Sequence, residues 1–114
     1  MENLSWLREG KSLIGKYQGE ITMEITQDFK QQVEKTLERE QADFLILDLS
    51  EVSFMDSSGI GFLVACNTRM QSSGKALVLY RPSSQVRKTL GLVQLMSHFD
   101  VADTQDELSL RLGV

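Results

Sequence analysis

Asp56-Ser57-Ser58-Gly59 is the segment of this chain whose residue types could carry chemistry. A carboxylate precedes two hydroxyls, and a glycine closes the group. An apolar, β-prone run from Phe44 to Leu49 leads towards it, and Ile60 to Met70 follows at helical spacing. The hydroxyls therefore fall where a strand gives way to a helix N-terminus. The first amides of a helix lack internal partners and carry partial positive charge, so this place favours an added phosphate. A phosphoryl group on Ser57 would gain from those amides, yet it would set about two negative charges beside Asp56. The two terms oppose each other locally, and the expected outcome is a changed surface on an unchanged fold, a binding switch. The same residues also suit an ordinary N-capped turn. Asp56, in turn, reads either as that cap or as a base that helps remove the Ser57 proton.

Other chemistries fit less well. Gly59-Ile60-Gly61 lacks the third glycine of a dinucleotide fingerprint, and a Gly-Lys-Ser/Thr phosphate loop is missing. Gly59 and Gly61 read as structural, permitting a sharp turn and a close helix start. Asp56, Ser57 and the sole histidine, His98, suggest a serine hydrolase. However, Met55 stands where a Gly-x-Ser-x-Gly elbow needs its first glycine. One Cys and one His cannot supply the three or four nitrogen and sulfur ligands of a zinc site. The residues themselves therefore lead to no hydrolase, nucleotide-binding fingerprint, metal or cofactor.

The elements that must position the segment fit one domain over residues 1–114. A net charge of -4 without a Lys/Arg cluster argues against direct nucleic-acid binding. The single Cys66 excludes an internal disulfide and fits a reducing compartment. Glu2, Arg8 and Glu9 interrupt any signal-peptide core, and no apolar run reaches the ~20 residues of a membrane helix. The expected location is the cytoplasm, without membrane insertion.

Asn3 to Arg8 and Lys11 to Gln18 read as two strands joined at Glu9-Gly10. Ile25, Phe29, Val33 and Leu37 recur every fourth residue and predict a helix of about four turns, capped by Thr22 or Thr26. Phe44–Leu49 and Ala76–Tyr80 are near-continuous apolar runs, the pattern of strands buried on both faces. With the intervening helix, which ends near Ser72-Ser73-Gly74, they predict a right-handed βαβ crossover. Pro82 opens a short helix striped by Val86 and Leu90 and closed by Gly91. His98 to Val101 predicts a last short strand. Thr104 and Glu107 predict a capping box for a final helix carrying Leu108, Leu110 and Leu112. Phe62, Ala65, Cys66 and Arg69 lie opposite the Ile60/Leu63/Val64 stripe. They form either a partly apolar exposed strip fit for docking, or a flank where Phe62 packs against a neighbouring helix. The sum is an α/β domain with a mixed sheet of four or five strands and about four helices.

Leu47 to Gly61, with Asp56-Ser57-Ser58-Gly59 at its heart, resembles the signature of STAS domains, in particular the bacterial anti-sigma factor antagonists. Gly19-Glu20-Ile21, Ser72-Ser73-Gly74-Lys75, Pro82 to Arg87 and Leu90-Gly91-Leu92 resemble further family segments in register. The resemblance implies a mixed sheet flanked by helices and no catalysis. It implies that the unphosphorylated form binds an anti-sigma factor that is also a serine kinase, and so frees the sigma factor. The kinase would use its own ATP to modify the first serine of the motif, Ser57 rather than Ser58, and a PP2C-type phosphatase would reverse the mark. The implied partner surface comprises Thr22, Asp56, Ser57, Ser58, Gly59, Ile60 and Phe62. Thr22 stands where many members carry Asp. Family breadth keeps an alternative open, a non-switching accessory subunit of a transporter or signalling scaffold.

Overall fold

The computed structural model of the chain describes residues 1–113. Strands β1 (Leu4–Glu9) and β2 (Ser12–Ile21) form a hairpin, and helix α1 (Met23–Glu40) follows. Strand β3 (Phe44–Met55), helix α2 (Ser57–Ser72) and strand β4 (Ala76–Tyr80) form the expected crossover. Helix α3 (Ser84–Leu92), a 3-10 turn (Met96–His98), strand β5 (Asp100–Ala102) and helix α4 (Gln105–Leu112) complete the chain. The five strands lie in sequence order, β1 antiparallel to β2 and the rest parallel. The mixed sheet and four helices match the α/β expectation.

Strands added in one direction with crossovers of one hand put the connecting helices on one face. The main core is built that way. Phe29 and Val33 of α1, Leu63 and Met70 of α2, and Val86 and Leu90 of α3 meet Leu13, Leu45, Leu47 and Leu79 of the sheet. The opposite face is covered by α4, with Leu108 against Ile46, Val78, Tyr80 and Ala102. An aromatic stack ties three elements together: Phe29 lies 4.9 Å from the Tyr17 ring and 4.3 Å from the Phe62 ring. At Gly15 any β-carbon would stand 2.7 Å from the Trp6 indole, so the hairpin closes over a glycine.

Several boundaries depart from the sequence pattern. β3 does not stop at Leu49; it runs on to Met55, paired with the end of β2 through Glu20↔Phe54 and Ile21↔Met55. Pairing with β4 ends at Asp48, so the extension is a two-stranded arm, and an extra β3 residue at two places, between Asp48 and Glu51 and between Val52 and Phe54, blurs its alternation. Only Val52 and Met55 of the arm segment in β3 are buried. α3 covers that arm, anchored by Ser83 N–H to Leu49 O at 3.1 Å and by the Thr89 hydroxyl to Met55 O at 3.3 Å. Pro82 lies outside α3, because Ser83 is the N-cap and accepts from Val86 N–H. Gly91 lies inside the last turn, which closes at Val93. His98 belongs to the 3-10 turn, and β5 starts at Asp100. Thr104 caps α4 as expected, whereas Glu107 accepts from Asp103 N–H rather than closing the box on Thr104. Leu110, two residues from Leu108, points to solvent, since neighbours at that spacing cannot share a helix face.

Phe29 is fully buried between two rings. Phe29→Ala should lower the unfolding free energy by about 3–5 kcal/mol. Urea titration should show the midpoint falling at unchanged slope, and a loss within experimental error of zero would exclude the stack as a core element.

Candidate functional site

The pairing of Ile21 with Met55 brings the starts of α1 and α2 side by side. Between them stands Asp56, in extended backbone as the N-cap of α2. Its Oδ1 accepts from Ser58 N–H at 2.9 Å, Gly59 N–H at 3.3 Å and the Ser58 hydroxyl at 2.5 Å. Its Oδ2 accepts from Met23 N–H, the first amide of α1, at 3.3 Å. Thr22 occupies the N-cap position of α1, yet its side chain makes no capping bond, and Thr26 donates to Met23 O instead. One carboxylate therefore caps two helices. The Ser58 hydroxyl lowers the Asp56 pKa most, burial opposes it, and the Gly59, Met23 and Ser58 amides lower it further. A carboxylate so engaged is a poor base, which favours the cap over a role in taking the Ser57 proton.

The two serines are placed differently. Ser58 is partly buried and gives its hydroxyl to Asp56. Ser57, the first residue of α2, is exposed, and among the described residues its hydroxyl has no hydrogen-bond partner. Ile60 is half-buried and Gly61 open to solvent. Gly59 is buried, because a β-carbon there would stand 2.3 Å from Met55 Cγ and 3.0 Å from Ile21 Cγ2. It offers no surface to a partner. Phe62 is only 4% exposed, so of the two readings of this flank the lateral one holds: the ring packs sideways on Phe29, and the partner contact expected of Phe62 is corrected. Cys66 is buried too, and burial pushes its thiol up to about 12. Between α1 and α2 lies a groove of about 360 Å³ lined by Val33, Ala65, Cys66 and the polar Lys30, Glu34 and Arg69, and a smaller hollow of about 220 Å³ reaches Ser58 and Gly61.

Sequence periodicity did not find the apolar groups that do face solvent here. Met23, next to Asp56, is 75% exposed; Phe54, at the tip of the arm, is 45% exposed. Leu92 and Val93, one turn beyond Thr89 and its bond to Met55, are also exposed. The available signal was the break in each pattern: Met23 precedes the α1 stripe, and Leu92-Val93 follow the α3 stripe. His98 lies in the 3-10 turn, edge-on to Phe99, and has no hydrogen bond to Ser57 or Asp56 among the described residues. No group of His, Cys, Asp and Glu there could hold a metal ion.

The hydrogen bonds to Asp56 favour its ionised form, so the native chain holds that proton less tightly than the unfolded chain. The stabilisation is full above the ordinary carboxylate value and is lost as pH falls through the lower native value. Asp56→Ala should cost about 1–2 kcal/mol at neutral pH. Urea titrations should show the difference between parent and variant shrinking as pH falls below the ordinary carboxylate value. A difference that does not change with pH would exclude the charged cap.

The chain matches the STAS domain family over residues 8–108. It is 25% identical over 91 residues to an anti-sigma F factor antagonist of Paenibacillus polymyxa, covering 77% of this chain and 78% of that one. A candidate anti-sigma factor antagonist of Thermotoga maritima has the same fold, with a TM-score of 0.88 at 23% identity over 97% of this chain and 95% of the other. SpoIIAA in its unphosphorylated form aligns with a TM-score of 0.80 at 18% identity, covering 97% of both chains. The Bacillus SpoIIAA in its phosphorylated form aligns at 0.71 and 19% identity, over 96% of this chain and 98% of that one. A family match over most of its length, joined to this sheet order and this helix-capped motif, makes the chain a member of the STAS domain family.

Proposed function

We propose that this protein is an anti-sigma factor antagonist switched by phosphorylation at Ser57. Unphosphorylated, it binds an anti-sigma factor that is also a serine kinase, and the sigma factor is released. The kinase transfers the γ-phosphoryl group of its own ATP to the Ser57 oxygen, ADP leaves, and affinity falls. A PP2C-type phosphatase restores the hydroxyl. The observation that carries this reading is the contrast between the exposed, unengaged Ser57 hydroxyl and the Ser58 hydroxyl committed to Asp56. Its relatives' names support it: one is an anti-sigma F factor antagonist, and SpoIIAA has been solved with and without phosphate.

The physics of the switch is desolvation. Met23, whose amide is bound to Asp56, and Phe54, three residues before Ser57, are exposed and offer apolar area whose burial drives docking. A phosphate carries about two charges and holds water strongly, so a partner seated over it must strip that shell or leave the apolar groups wet. Asp56 adds a like charge, and its two helix caps keep the scaffold from rearranging to relieve it. Thr22 contributes no charge of its own, so the partner meets one negative group here fewer than in relatives with Asp at that place.

Intact-mass analysis after incubation with the kinase and ATP should show one added phosphate in the parent and in Ser58→Ala, and none in Ser57→Ala. Ser57→Asp should weaken kinase binding tenfold or more, about 1.4 kcal/mol, while Ser57→Ala binds like the parent. A mark that persists in Ser57→Ala would move the switch elsewhere.

A further inference from the structure

β1 is an open edge of the sheet. Its six residues pair with β2 on one side only. The other edge, β5, is three residues long and has α4 packed beside it. β1 has no proline and no register shift, and of its two charges, both at its C-terminal end, Arg8 is committed to Gly10 O and Glu40 O of its own chain. The Gln18 N–H to Asn3 O bond, 3.0 Å, fixes the phase of the hairpin. Residues 5, 7 and 9 face β2 like Asn3, and alternation turns the N–H and C=O groups of Leu4, Trp6 and Arg8 outward. On the α4 face, Leu7 begins a row that continues through Ile14, Ile46 and Val78. Ile46 and Val78 are buried, but Leu7 is 57% exposed.

The geometry points to a second copy of this chain as the occupant of that edge, with the two β1 strands antiparallel about a two-fold axis at Leu7. A two-fold contact must be self-complementary, and this one is. Trp6 and Arg8 of one copy exchange backbone hydrogen bonds with Arg8 and Trp6 of the other, using the groups that face outward. Leu7 meets Leu7 across the axis, so the two apolar rows join. Each Trp6 lies opposite an Arg8 guanidinium, a favourable cation–aromatic pairing. Each Ser5 hydroxyl lies opposite a Glu9 carboxylate. The two Arg8 side chains sit diagonally, and each already has its own Glu40 carboxylate at 3.9 Å. A six-residue edge buries less than the ~800 Å² per partner of a standard interface, so the association is weak and depends on concentration. It is independent of Ser57, and its failure would leave the phosphorylation reading standing.

Sedimentation velocity on the full chain should show the mass rising from 12.9 kDa towards twice that value with concentration. Leu7→Lys, which sets two ammonium groups against each other, should stay at the lower mass while its circular dichroism matches the parent. Residues opposite each other at a non-hydrogen-bonded site are about 4.5 Å apart between α-carbons. That separation suits a disulfide, so Leu7→Cys should cross-link on mild oxidation. Ser5→Cys, opposite Glu9, should not, and Cys66 is buried and does not compete. A constant 12.9 kDa at every concentration, or equal cross-linking of Ser5→Cys and Leu7→Cys, would overturn the inference.

Discussion

The carboxylate of Asp56 holds two helices by their N-termini. One oxygen serves α2, the other the first amide of α1, and among the described residues neither helix has another side-chain acceptor at that end. The arrangement depends on strand register. β2 and β3 must run in parallel as far as Ile21↔Met55 for Met23 and Ser57 to start their helices next to each other. A strand shortened by two residues would leave the carboxylate short of α1. Buried Gly59 closes the same junction from below, where Met55 and Ile21 fill the space a side chain would need. Sheet pairing, capping and close packing thus converge on one residue, and the serine after it inherits a fixed position.

This fixed position separates the two hydroxyls by function. Ser58 is part of the cap: its hydroxyl and amide both serve Asp56, and modifying it would break the bonds that hold the helix start. Ser57 is one residue earlier, outside that network, and a group added to its oxygen displaces nothing. A switch of this kind needs a site that is rigidly presented yet structurally idle, so that added charge is felt by a partner and not by the fold. The charge already present at Asp56 is neutralised in part by helix dipoles, and a phosphate would arrive where those amides are largely taken.

Much of this was legible in the sequence. The apolar runs of β3 and β4, the four-residue period of α1 and the strand-to-helix break at Asp56 follow from burial and periodicity, and the structure keeps them. The length of β3 was not legible, because Ser50 to Met55 projects past β4 as an arm with most of its side chains in water. Polar residues there read as loop. Phe62 was ambiguous for a different reason: the tight approach of α1 to α2, stacked through Phe29, decides whether the flank of a helix is surface or core. The second half of the Asp56 cap is a contact across 33 residues, and no local pattern announces it. Nor does Thr22 show that it stands at a cap position without capping.

Four of the exposed apolar groups stand on elements that meet the Asp56 junction, whereas Leu7 on β1 and Leu110 on α4 are exposed elsewhere. Met23 belongs to α1, Phe54 to the arm and Leu92 and Val93 to α3, so three separate elements deliver them. Met23 precedes the residues that bury α1, and Leu92 and Val93 follow those that bury α3. Large apolar side chains left in water by several elements at one place mark a surface kept for contact. On the proposed reading, a phosphate on the idle Ser57 hydroxyl need not break such contacts one by one, because it spoils the dry environment that a bound partner would share with them.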